Sequence, residues 1–323
     1  MVLEAREIVA MIKENMEKRG LPLPVDRGVV YEWSRGLGVP SSGEYLLYTG
    51  GLYQLLPYIE GLVNQLERVE KSSVGGFALR LAKKVMKVVD VSKLVSKPDR
   101  EAKKYSESVL RSIVRLLSAA GISFYYDPEL DGYSGALLYD MGLLKSFRRH
   151  ARGVYEALRA RGVKKVVTID PHTTHMLRSV YPEVVEGYDL EVYSYLELLA
   201  KRVDSLRFRG GGAGAVVIHD PCLYARFENV LDEPRLLLSR AGYEVREPRR
   251  SRRLTYCCGG PVESLAPALA KKIAANRVEE LREYADTIVT LCPICYANLH
   301  RVAPRGVRVV DVSILLAERL EEQ

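Results

Sequence analysis

Short apolar runs of five or six residues punctuate this 323-residue chain, and most are followed by a longer segment with helical spacing. The runs read as strands are EYLLYT (44–49), ISFYY (122–126), KKVVTI (164–169) and LEVYSY (190–195). After the glycine-rich RGGGAG (209–214) come AVVIH (215–219), YEVRE (243–247), DTIVTL (286–291) and VRVVDV (307–312). Several are almost continuously apolar, as parallel strands buried on both faces are. Helical spacing starts at Leu52, covers roughly 60–120 with breaks near Gly75-Gly76 and Pro98, and returns over 136–160 and about 263–283, with a short helix after KKVVTI. This alternation predicts an α/β fold of parallel sheets covered by helices. The N-terminal MVLEAREIVAMIKENMEKRG reads as an amphipathic helix in a preface that closes on the turn-rich GLGVPSSG, and RGGGAG marks a second boundary. The expected division is a helical preface at 1–43 and two units at 44–208 and 209–323.

The two units repeat each other. YSGALLYDMG, a helix and GVKKVVTIDPHTTHML in the first match CCGGPVESLA, a helix and YADTIVTLCPICYANL in the second. Ser134 to Asp170 spans 36 positions and Cys258 to Cys292 spans 34. Tyr133-Ser134-Gly135 thus corresponds to Cys257-Cys258-Gly259, and Asp170-Pro171-His172-Thr173 to Cys292-Pro293-Ile294-Cys295. Such self-similarity predicts a duplicated unit with pseudo-symmetry.

Composition narrows the class without choosing within it. Hydrophobic residues at 47% and charged residues at 28% give the balance of a soluble globular protein. No run approaches the roughly 18 apolar residues of a membrane span. Acidic residues from position 4 argue against a signal peptide, so a cytoplasmic location is expected. The net charge of +7 selects no partner alone. REPRRSRR (246–253) concentrates five arginines with no nucleic-acid-binding signature beside it, so nucleic acid is not expected as a partner. That run reads as a solvated loop, or as an electrostatic contact for an acidic ferredoxin, a partner subunit or an anionic thiol.

Cysteine usage changes the picture. The five cysteines are Cys222, Cys257, Cys258, Cys292 and Cys295, all in the last third of the chain. An odd, clustered set in a cytosolic protein argues for a metal or catalytic site over a disulfide framework. Each falls where a strand pattern gives way to a helix, and in parallel α/β folds those ends gather on one edge. Helix N-termini there lower thiol pKa and donate to anionic sulfur. Gly259 and Gly260 let the backbone come close. Thiolates select zinc or iron–sulfur clusters. A tetrahedral zinc site takes four ligands, and five sulfurs with one adjacent pair suit a multi-iron cluster better.

HDPC (219–222), EPR (233–235), CCGG (257–260) and CPIC (292–295) together resemble the cysteine-rich CCG domain. That domain occurs in the B and D subunits of heterodisulfide reductases and in iron–sulfur subunits of glycolate, lactate and some succinate oxidation systems. The resemblance covers roughly residues 44–323 and implies two pseudo-symmetric parallel-sheet CCG-type domains. It implies that all five cysteines hold a noncubane [4Fe–4S] cluster in an oxidoreductase subunit that relays electrons, with zinc as the alternative cofactor. A ferredoxin-like or flavoprotein redox subunit would be the partner and a thiol or disulfide the small molecule. The first unit departs from the pattern: Gly51, Tyr133-Ser134, Asp170 and Thr173 stand where cysteines are expected, so one cluster site is lost. LPLPVDRGVVYEW (21–33) resembles the segment after a ferredoxin domain in longer relatives, with no CxxCxxCxxxCP run before it, so electrons are expected from a separate partner.

Other residues have blander alternatives. His219 and Asp220 precede Cys222, and either reach a cluster sulfur or cap the strand end. His172 and His175 could join Asp170 at a metal, but are read as polar filling of a vestigial loop. Tyr133 and Tyr256 are read as packing residues.

Overall fold

Every apolar run becomes a strand in a computed structural model that describes residues 5–71, 97–263 and 266–321. The first unit holds β1 (Tyr45–Tyr48), β2 (Phe124–Tyr125), β3 (Lys165–Thr168) and β4 (Glu191–Ser194). The second holds β5 (Gly214–Ile218), β6 (Tyr243–Arg246), β7 (Thr287–Thr290) and β8 (Arg308–Asp311). They form two four-stranded parallel sheets ordered β2-β1-β3-β4 and β6-β5-β7-β8. The same order twice is the structural form of the sequence repeat. β2 is shorter than its apolar run because the Tyr126 N–H turns away to the Pro40 carbonyl at 2.9 Å.

The helices used below are α1 (Ala5–Arg19), α2 (Leu52–Lys71), α3 (Arg100–Ala119), α4 (Leu144–Ala160), the short α5 (Pro171–His175), α6 (Tyr195–Lys201), α7 (Asp232–Arg240), α8 (Pro267–Arg282), α9 (Pro293–Val302) and α10 (Val312–Arg319). α3 shows why they form. Its Asp99 cap accepts from the Glu101 and Ala102 amides, and Val109, Leu110, Ile113, Leu116 and Leu117 make one buried stripe. Pro98 precedes that cap as expected, while the break near Gly75-Gly76 lies outside the described residues. The helix expected over 136–160 is two helices, Ala136–Asp140 and α4, because Gly142 adopts a φ of 71° between them. Among the described residues no helix is long and apolar enough to cross a membrane.

The two units share a core. One cluster takes Leu47 and Val167 from the first sheet together with Val216, Val289 and Val310 from the second, and Leu116 of α3 with Leu316 of α10. Two tyrosines then reciprocate across the seam. The Tyr53 hydroxyl donates to Asp311 at the end of β8 (2.5 Å), and the Tyr224 hydroxyl pairs with Ser194 at the end of β4 (2.9 Å). Ser194 and Asp311 occupy the same place in their sheets, opposite Thr168 and Thr290. Strand ends of both halves therefore look toward one seam. A Leu316→Ala change in this shared core is expected to cost about 2–5 kcal/mol, read as a lower urea midpoint with an unchanged slope.

Candidate metal centre

The loops after β5 and β7 and the turn before α8 bring all five cysteines to the seam. Cys222 leaves β5 through His219-Asp220-Pro221. Cys292 is the residue before α9, and Pro293 opens that helix as its fixed φ and missing N–H favour. Cys258, Cys292 and Cys295 are buried at 3%, 1% and 4% exposure, whereas Cys222 and Cys257 are half-buried. The glycines after the cysteine pair have steric reasons. Gly259 has a φ of 89°, and a Cβ there would meet the Ala270 carbonyl oxygen at 2.7 Å. A Cβ on Gly260 would stand 2.4 Å from Ile294 Cγ2 and 3.4 Å from the Cys258 sulfur. Only glycine lets α8 and α9 close this tightly around the pair.

The sulfurs form one line of contact running Cys222, Cys257, Cys258, Cys295, Cys292. Cys222 and Cys258 donate to Cys257, and the Gly259 N–H approaches the same sulfur at 3.4 Å. Those donors hold the Cys257 thiol down at about 2 and push Cys222 and Cys258 up. Burial alone would raise Cys292, but donation from Cys295 and from His172 outweighs it and leaves Cys292 well below an ordinary thiol. Cys295, hydrogen-bonded to Cys258 and Cys292, is raised. Cys257 and Cys292 are thus held low while Cys222, Cys258 and Cys295 are pushed up. A thiophilic ion or cluster would displace the remaining protons.

Around the sulfurs, His219 and Asp220 do different jobs. His219 is buried, and one of its ring nitrogens and the sulfurs of Cys258 and Cys295 lie within 4.8 Å of one another. Its Nδ1 accepts from Nε of the buried Arg277 at 3.2 Å. The proton of a neutral ring then sits on Nε2, free to donate to sulfur. Burial first, and the Arg277 charge second, pull His219 down to about 3, so the ring stays neutral. Asp220 binds both Nη atoms of Arg235 at 2.8 and 3.0 Å and accepts the Arg252 N–H at 2.6 Å. The Thr255 hydroxyl donates to the Asp220 carbonyl at 3.0 Å. Asp220 is therefore the clamp that holds the segment leading into Cys257 against the Cys222 loop. Arg235 of EPR is its partner, so the HDPC and EPR segments are joined by one ion pair.

The first unit is not inert at the seam. Ser134, Asp170 and Thr173 are fully buried, and Ser134 Oγ, Asp170 Oδ2 and Thr173 Oγ1 each lack a hydrogen-bond partner among the described residues. Gly51 stays glycine at a φ of 72°. Among the described residues His172, His175 and Asp170 do not form a cluster with metal-ligand spacing, and both histidines make specific contacts. His172 Nδ1 lies 3.8 Å from the Cys292 sulfur, and His175 Nδ1 lies 2.6 Å from Glu228 of the other half. Burial pulls His172 down, but Cys292, Asp170 and Asp140 carry it up to about 9. No local pattern reveals the roles of His172 and Arg277, because each acts on a residue more than 50 positions away. Tyr133 packs in the core, whereas Tyr256 is 49% exposed. His172→Leu should raise the thiolate titration of Cys292 in the metal-free protein, followed by its ultraviolet thiolate absorbance, because a donor to that sulfur is lost.

Residues 216–300 match the family of the CCG cysteine-rich domain. The chain is 28% identical over 230 residues to the probable membrane-anchored ferredoxin of Chromohalobacter salexigens, covering 67% of this chain and 34% of that one. It is 29% identical over 224 residues to the probable iron-sulfur-binding oxidoreductase FadF of Bacillus subtilis, covering 66% and 32%. With the B subunit of the fumarate reductase (CoM/CoB) of Methanothermobacter marburgensis it shares 30% identity over 142 residues, covering 43% and 28%. The chain thus spans about a third of the length of these relatives.

Proposed function

We propose, taking as premise that the second half of this chain is a CCG cysteine-rich domain, that Cys222, Cys257, Cys258, Cys292 and Cys295 hold one noncubane [4Fe–4S] cluster. The chain is then the electron-transfer subunit of a heterodisulfide-reductase-like oxidoreductase. The observation that carries this reading is the gathering of five cysteine sulfurs at one seam, where hydrogen bonds from neighbouring groups hold Cys257 and Cys292 below an ordinary thiol. Bound there, such a cluster would supply a one-electron relay and iron with an affinity for sulfur. The protein's part is to hold it. Gly259 and Gly260 make room, the Gly259 N–H points at sulfur, and the His219 ring, its Nδ1 engaged by Arg277, lies beside the Cys258 and Cys295 sulfurs. Hydrogen bonds of this kind stabilise the more negative, reduced state and raise the potential.

Zinc on His219, Cys258 and Cys295 is the second reading, because those three ligand atoms lie within 4.8 Å. Arg277 weighs against it. For Nε2 to bind a metal the ring proton must move to Nδ1, where it would face the Arg277 N–H, a donor with no acceptor. The relatives' names, an iron–sulfur oxidoreductase, a ferredoxin and a reductase subunit, agree with the redox reading. A ferredoxin-like or flavoprotein partner in the cytoplasm and a thiol or disulfide substrate belong to the same proposal, as does the division at residue 209. The test is iron, acid-labile sulfide and zinc per chain after anaerobic purification, with EPR of both oxidation states. About four iron and four sulfide are expected. About one zinc without sulfide would replace the redox reading by a structural one.

A further inference from the structure

The two cysteines that remain half-buried, Cys222 and Cys257, mark the open side of the centre. The segments that follow Cys222 and precede Cys257 carry three large apolar side chains in solvent: Phe227 at 63% exposure, Leu254 at 73% and Tyr256 at 49%. They form one rim, because Arg226 donates to the Thr255 carbonyl at 2.5 Å and Arg253 to the Asn229 side chain at 3.1 Å. Arg250 lies over the Tyr256 ring, 4.2 Å from its centroid. Among the described residues Arg226 and Arg253 form no ion pair with a carboxylate, so the rim presents uncompensated positive charge beside exposed apolar groups. Arg250 also reaches Glu280 at 3.8 Å, so the free charge is that of Arg226 and Arg253, and exposed apolar area flanked by such arginines is the composition of a transient protein interface.

We infer that this face docks a small acidic electron-carrier protein. The inference rests on the iron–sulfur reading and adds where the carrier sits and what recognises it. Carboxylates around the carrier's own cofactor would meet Arg226, Arg250 and Arg253, while its apolar centre covers Phe227, Leu254 and Tyr256. Its cofactor then lies against Cys222 and Cys257, the least covered sulfurs, and Cys258, Cys292 and Cys295 stay behind them. A short-lived electron-transfer contact needs a small, electrostatically steered surface of this kind.

An acidic plant-type [2Fe–2S] ferredoxin is the probe, and a basic cytochrome c of similar size is the control. Binding to the anaerobically purified protein is measured by calorimetry at 25 and 250 mM salt. The ferredoxin should bind at low salt and weaken at least about tenfold at high salt, and the cytochrome should not bind. Arg253→Glu with Leu254→Asp changes two exposed side chains and should weaken binding about tenfold or more, with the iron content and thermal midpoint of the variant unchanged. Absence of ferredoxin binding at low salt, or equal binding by the variant, overturns the docking face. A preparation with zinc and no iron would instead overturn the reading beneath it, so the two failures are distinguishable.

Discussion

Cys257→Ser is expected to remove the cluster: iron and sulfide should fall from about four of each to well under one per chain, with loss of the brown colour. Cys257 is the hub of the sulfur line. It accepts from Cys222 and Cys258 and from the Gly259 N–H, and of the five it is one of two whose neighbours hold the thiol low. A serine hydroxyl at this place stays protonated near neutral pH, since nothing here offsets an alkoxide, so one ligand and the charge that organises its neighbours disappear together. Gly259, Gly260 and the Asp220 clamp are untouched, so the metal-free variant should keep the wild-type urea midpoint. Full retention of iron by Cys257→Ser would remove this residue from the ligand set. Loss of the fold along with the iron would show that the pair is needed for packing, and Cys222→Ser, at a half-buried position, then becomes the deciding variant.

Arg277→Met is expected to cost about 3–5 kcal/mol in the metal-free protein and to lower cluster retention as well. Arg277 is 1% exposed and serves four acceptors: His219 Nδ1 at 3.2 Å, Glu280 at 2.7 Å, the Arg250 carbonyl at 3.0 Å and Thr255 Oγ1 at 3.4 Å. Methionine matches its stem but leaves those acceptors without their donor, which is the expensive way to break a buried polar network. Without that donor, His219 is no longer held in one tautomer, and its proton can leave Nε2. Arg277→Lys keeps the charge but offers one compact ammonium for partners spread around a planar fork, so an intermediate loss is expected. The readout is the urea midpoint of the metal-free chain, with iron retention during gel filtration beside it. A loss under about 1 kcal/mol for Arg277→Met would show that the network is dispensable to folding.

Much of this was legible beforehand, and the reasons are local. A run such as DTIVTL, bounded by charged and turn residues, reads as a buried strand, so all eight strands followed from spacing and their duplication from the repeat, while the strand order came from the structure. The cysteines were legible because they fall at strand ends, and parallel topology collects those ends on one edge. The break at Gly142 was not, since a single glycine inside a helical pattern is as often tolerated as not. Tyr256 was misread for a related reason. Its counterpart Tyr133 is core, but duplication copies the path of the backbone and not what covers each side chain.

What the sequence by itself determined is therefore the α/β framework, its two copies and the gathering of five sulfurs at one seam, because periodicity and turn chemistry act over a few residues at a time. Only the tertiary structure decided what surrounds those sulfurs. His172 comes from the half without cysteines to meet Cys292, and Arg277 on α8 sets the tautomer of His219 at the end of β5. Both contacts exist because two sheets share one core and bring distant helix faces within hydrogen-bond range, and no spacing along the chain encodes that distance.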